Sequence, residues 1–171
     1  MTAFASAGIG TSGFLSGELL KQSAQINMVH IPYKGSGPAI NDLLGGQLDA
    51  LFEGLVTATG YAKSGKLRLL AVTSERRVKS FPDAPTLSEV VPGVSGAAWF
   101  GISAPAKTPT AIAERLQAEV QAIVQSPDMQ TRLTDLGMTP LAYGALEYLG
   151  FINNENRKWS PVIKTSNIKI E

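Results

Sequence analysis

Twice near its start the chain passes from a short β-favouring run through a glycine-rich loop into a segment of helical spacing. The two passages read "TAFASAGIGTSGFLSGELLKQ" and "MVHIPYKGSGPAINDLLGG". The first predicts a strand over Thr2–Ser6 and a helix over 12–25, with Phe14, Leu15, Leu19 and Leu20 on one face. The second predicts a strand over Met28–Pro32 and a helix with Pro38 in its first turn, stopped by Gly45 and Gly46. A third strand over 48–52, a short helix over 57–64 and a fourth strand over 67–73, "LRLLAVT", continue the alternation. Strands that alternate with helices through short loops form a parallel sheet with helices on its faces.

The pattern then lapses. Residues 74–96 read as a Pro- and Gly-rich connection, and "AWFGISAP" over 98–105 as one more strand. The remainder is helical. Thr108-Pro109 opens a helix with the stripe Ile112, Leu116, Val120, Ile123 and Val124. Ser126-Pro127-Asp128 caps the next, which turns Met129, Leu133 and Leu136 inward and ends at Gly137. A last helix is expected over 146–159, ended or kinked at Pro161. There is no internal repeat.

Composition excludes several functions. Fifteen basic and fourteen acidic residues leave a net charge of +1, so nothing points to a nucleic-acid partner. Zero cysteines remove disulfides, thiolate metal sites and cysteine nucleophiles, and a single histidine, His30, removes a multi-histidine metal site. No apolar run approaches the roughly 20 residues of a membrane-spanning helix. The opening residues carry no signal-peptide pattern. No cofactor is expected.

Gly8, Gly10 and Gly13 have the spacing G-x-G-x-x-G, shared with dinucleotide sites. A loop entering a helix N-terminus gathers unpaired N–H groups and the positive end of the helix dipole, which favours any anion. A dinucleotide also needs an acidic residue about 20 positions on, to bond the ribose. That region reads "VHIPYKG", without Asp or Glu, and no Gly-Lys-Ser/Thr follows the glycines. In a parallel sheet the second loop emerges at the same edge as the first. Ser6, Thr11, Ser12, Tyr33, Lys34 and Ser36 therefore gather there, offering hydroxyls and one cation to a carboxylate. His30, within an apolar strand, reads as a hydrogen-bonded core residue. Glu53 and Asp49 lack a histidine or metal partner for catalysis, although Glu53 stands where it could orient a ligand's amine or hydroxyl. Binding is favoured over turnover.

The stretches "ASAGIGTSGFLSGELLKQ", "MVHIPYKGSGPAINDLLGGQLDALFEG" and "GKLRLLAVTSERR", followed in order by "FPDAPTLSE", "AWFGISAPAKTP" and "NENRKWSPVIKTSNIKI", resemble the Bug family. These are periplasmic substrate-binding receptors of tripartite tricarboxylate transporters, and the resemblance spans essentially the whole chain. It implies a type II periplasmic binding protein fold, no enzymatic activity, and a small carboxylate ligand: a di- or tricarboxylate, an acidic amino acid or an aromatic acid. It also implies membrane transporter subunits as partners of the intact periplasmic protein. Carried over, one ligand loop is Ser6, Ala7, Gly8, Gly10, Thr11 and Ser12. Tyr33, Lys34, Gly35 and Ser36 form the neighbouring wall, and Glu53 lies toward the hinge. The chain departs from many members at Phe14, where they have histidine, and at Glu53-Gly54, where they have Asp-Asn.

Matched to the family, residues 1–98 are the second, ligand-binding domain. Residues 99–171 are the crossover strand and helices that pack on a first domain preceding this sequence. The loop is then half of a clamp, and the stripes after Trp99 need cover, for which a homodimer or swapped assembly is expected. The competing readings are an oligomerising or signalling module that lost its ligand, and a nucleotide-dependent enzyme.

Overall fold

The computed structural model describes residues 2–166. Strands β1 (Thr2–Ser6), β2 (Met28–Pro32) and β3 (Ala50–Leu51) form a parallel sheet in the order β2-β1-β3. Helices α1 (Ser12–Ala24), α2 (Ser36–Leu44) and α3 (Leu55–Lys63) follow the three strands. Central β1 is covered on both faces, so Phe4 and Ala5 are wholly buried, and the core continues into Phe14, Ala39, Ile40, Leu48, Val72 and Val94. The Phe4 ring meets Phe52 edge-on, with centroids 5.5 Å apart, and lies 4.9 Å from the His30 ring.

The expected inward face of α1 is corrected. Phe14 is buried, but Ser16, Gly17 and Glu18 are the other buried residues, while Leu15, Leu19 and Leu20 are only partly covered. Two packing surfaces explain the change. Gly17 lies flush against Phe4 on the sheet side, while helix α7 (Ala145–Thr165) packs along the other flank of α1.

Both later strand expectations fail for one physical reason. Residues 67–71 alternate in exposure as a strand does, but only the buried Val72 that follows them finds a ladder partner, in a single parallel bridge to Thr86. Residues 98–105 have none, and Phe100 and Ile102 stand largely exposed. A strand is defined by its neighbour, and extended chain without one is only extended chain. The third strand shrinks to Ala50–Leu51 for the same reason. Within 74–96 a short helix α4 (Leu87–Val90) forms on a capping box between Thr86 and Glu89. Arg77 pairs with Glu89, and with the Thr86 N–H bond this holds the exposed Glu89 carboxyl down at about 2.

Helices α5 (Thr110–Gln125) and α6 (Pro127–Asp135) form where expected. Ser126 stands at the α6 N-cap, but its hydroxyl donates back to the Ile123 carbonyl instead. The α5 stripe forms without being buried: Ile112, Leu116 and Ile123 are each about half exposed. Leu136, expected inward, is exposed too. Helix α7 runs through Pro161 instead of ending there. Burial of Val162 and a 2.8 Å bond from Gln22 to the Ser166 hydroxyl anchor the turn beyond the proline and offset its cost of about 3 kcal/mol.

Candidate functional site

Because the three strands run the same way, the segments after Ser6, Pro32 and Leu51 leave the sheet at one edge. Backbone bonds extend the sheet into these loops. Tyr33 N–H donates to the Ser6 carbonyl (3.1 Å), Gly35 N–H to Ala7 (3.0 Å) and Phe52 N–H to Ala5 (3.0 Å). Gly8 and Gly10 have φ of 142° and 82°, and a Cβ on Gly8 would come within 3.2 Å of the Tyr33 carbonyl oxygen. A Cβ on Gly13 would meet the Phe52 carbonyl oxygen at 2.5 Å, so α1 enters flush against the third loop.

The loop hydroxyls are mostly spent on the loops themselves, which corrects the expectation that they face outward together. Ser6 is fully buried; its Oγ lies 2.8 Å from His30 Nε2, and Gly8 N–H donates to it at 3.2 Å. Thr11 caps α1, accepting from Phe14 N–H and donating to the Gly8 carbonyl. Tyr33 donates its hydroxyl to Asp42 at 2.6 Å, a bond that raises its pKa above the ordinary 10.0. Ser36, Thr57 and Gly54 N–H all donate to Glu53 Oε1, at 2.8, 2.6 and 3.0 Å. Glu53 thereby ties the second loop to the third, and its buried Oε2 has no partner among the described residues.

What remains free is backbone and two side chains. Among the described residues the N–H groups of Gly10, Ser12 and Gly13, and of Ser36 and Gly37 at the start of α2, find no acceptor. The Ser12 hydroxyl and the exposed Lys34 ammonium likewise have no partner there. Two helix N-termini and one cation at a common edge attract an anion. No group of three metal-ligating side chains exists among the described residues.

His30 supports the first loop from beneath. Its ring lies 4.5 Å from that of Phe14, tilted at 50°, and is bonded to Ser6. Burial lowers its pKa from 6.5; Glu18 pulls it back up and Lys21 adds to the lowering. A lowered folded pKa means that the unfolded chain binds the proton more readily, so stability is complete above pH 6.5 and falls as pH drops below it. The melting temperature of the wild type is expected to decline between pH 7.5 and 5.5. His30→Gln, which keeps a side-chain partner for Ser6 but cannot titrate, is expected to flatten that part of the profile.

A second wall was not foreseen. Beside the α1 N-terminus lies an open groove of about 520 Å³, lined by Gly10, Ser12, Trp99, Phe100, Glu155 and Trp159 among others. Trp99 is held edge-on between Tyr148 and Phe151, at 5.9 and 5.4 Å. Trp159 donates its ring N–H to Glu155 at 2.9 Å. The sequence carried one signal for this wall: both of its tryptophans are here. Their meeting depends on α7 docking along α1, which helical periodicity does not specify.

Comparison with known proteins places this geometry. BugT of Bordetella pertussis is 36% identical over 172 residues, covering 99% of this chain and 52% of BugT. Among solved structures, R. palustris Rpa4515 with adipate superposes with a TM-score of 0.91 at 31% identity. MatC (Rpa3494) from Rhodopseudomonas palustris with bound malate gives 0.82 at 30%. These superpositions cover 98% and 95% of this chain and 56% of each of those chains. The chain thus spans about half the length of BugT and little more than half of either solved receptor. Residues 2–168 match the family described as the tripartite tricarboxylate transporter family receptor. The parallel sheet, the glycine loop at its edge and this match along nearly the whole sequence lead to one conclusion: the chain belongs to the tripartite tricarboxylate transporter receptor family.

Proposed function

We propose that this chain is the loop-bearing half of a periplasmic receptor that binds a small carboxylate and presents it to membrane transporter subunits, without chemistry. The observation that carries this reading is the set of unpaired N–H groups at the starts of α1 and α2, converging on one sheet edge beside Lys34. Ser6, Thr11, Tyr33 and Ser36 act as supports, whereas Gly10, Ser12 and Lys34 face the ligand. The adipate and malate bound to the two R. palustris receptors are carboxylates of the expected kind.

Residues 2–98 form the ligand-binding unit in this reading. The later segment packs on the remainder of a full-length receptor. Exposure of Ile102, Ile112, Leu116, Ile123 and Leu146 supports that division. The superposed receptor chains extend well beyond this one, so the proposed cover is the rest of the fold, in place of the second copy expected from sequence.

Calorimetric titration of the chain with succinate, malate, adipate and NAD tests the reading. Half a clamp retains about half of the charge-assisted hydrogen bonds, each worth roughly 1.5–3 kcal/mol, so weak but saturable binding of at least one dicarboxylate is expected. Binding of NAD alone, with silence to these and every other carboxylate tried, contradicts it.

A further inference from the structure

The groove beside the α1 N-terminus combines three kinds of chemistry that the loops alone do not. One is the free N–H end of α1 at Gly10 and Ser12. Another is the aromatic surface of Trp99, Phe100 and Trp159. The third is the Glu155 carboxylate. Their order along the groove follows from the packing of α1 and α7. A Cβ at Gly96 would lie 2.7 Å from the Trp159 ring and 3.0 Å from the Ser16 hydroxyl, so Trp159 stands level with Ser16. Further along, Gln22 bonds Ser166, so the two helices run in the same direction. Carrying that pairing back one turn brings Ser12 level with Glu155.

A simple carboxylate seated on the Ser12 N–H would therefore sit close to a second negative charge. Glu155 forms no ion pair among the described residues, and its Oε2 accepts only the Trp159 N–H. A ligand that brings its own cation beside its carboxylate resolves the conflict. The N–H groups take the carboxylate, Glu155 takes the ammonium, and the aromatic surface takes an apolar body. The groove, about 520 Å³, falls within the usual range for a small-molecule site.

Resting on the carboxylate-receptor reading above, we propose that the ligand class of this site is an α-amino acid with an aromatic or large apolar side chain, its ammonium held by Glu155 and its side chain against Trp99 and Phe100. The site then discriminates against plain dicarboxylates, which leave Glu155 unanswered and the aromatic wall bare.

The test uses L-phenylalanine and two deletions of it: 3-phenylpropanoate, which lacks the ammonium, and L-alanine, which lacks the ring. Binding is followed by calorimetry and by tryptophan fluorescence, since both tryptophans line the groove. L-Phenylalanine is expected to bind about tenfold more tightly than either deletion, with a change in emission. Glu155→Gln keeps an acceptor for Trp159. It is expected to weaken L-phenylalanine about tenfold and to strengthen 3-phenylpropanoate, whose carboxylate no longer meets a second negative charge. Phe100→Ala, at a position 79% exposed and so harmless to folding, is expected to weaken both ring-bearing ligands. The proposal is overturned if L-phenylalanine binds no better than its deletions, or if Glu155→Gln affects both ring-bearing ligands equally. Succinate binding without L-phenylalanine binding overturns this inference alone. Silence to every carboxylate overturns the receptor reading with it.

Discussion

Replacing Phe4 with alanine is expected to remove about 3–5 kcal/mol of stability, enough to leave much of the population unfolded at modest denaturant. Phe4 is wholly buried in the central strand, with His30 and Phe52 against its ring and α1 across it. No neighbour can fill the space, because each is tied elsewhere: His30 to Ser6, and Phe52 through its N–H to Ala5. The loss also reaches the site, since the segments carrying Gly8 and Glu53 leave the sheet within two residues of those contacts. Urea unfolding followed by far-UV dichroism measures the effect. A midpoint within error of wild type would show that Phe4 is not the keystone of the sheet.

Gly17→Ala should be destabilising, against the ordinary rule for helices. In an exposed helix interior this change stabilises by about 1 kcal/mol, because glycine has the greater entropy to lose. Here the new Cβ would lie 2.2 Å from Phe4 Cε2, with two further ring atoms within 2.8 Å. The ring is enclosed and cannot turn away, so α1 must lift from the sheet, at a cost of about 1–3 kcal/mol. Phe4→Leu removes the ring edge that causes the clash. In that background the Gly17→Ala penalty is expected to shrink, and a double-mutant cycle in urea reads the coupling. A stabilised Gly17→Ala protein, or strict additivity, would refute this packing.

The first half of the chain was legible because its signals were local. Glycine loops, the Pro38 helix start and the Gly45-Gly46 stop each act within a few residues, and all stand where expected. The later strands were not legible because hydrophobic alternation reports which residues prefer burial, whereas a strand needs a partner. Residues 67–71 kept the alternation, and a partner was found only beyond them, at Val72. The Thr86–Glu89 capping box could have been read from Thr-x-x-Glu spacing, but prolines on both sides masked it. Pro161 shows the reverse: a strong local breaker overruled by the docking of α7 on α1.

At the candidate site, sequence brought the loop groups to one edge of the sheet but did not assign their bonds. The gathering of Ser6, Thr11, Tyr33 and Ser36 follows from topology, while their consumption by His30, Gly8, Asp42 and Glu53 depends on angles that no spacing reveals. What faces outward is chiefly backbone, which one-dimensional patterns record only through the glycines that expose it.

The central claim is that the α1 N-terminus is an anion seat built of backbone N–H groups. Amide-resolved NMR during titration with succinate tests it most directly. The account predicts saturable shifts that are largest at the Gly10, Ser12 and Gly13 amides and follow one binding curve. Shifts that are absent there, or largest along the exposed face of α5, would contradict it.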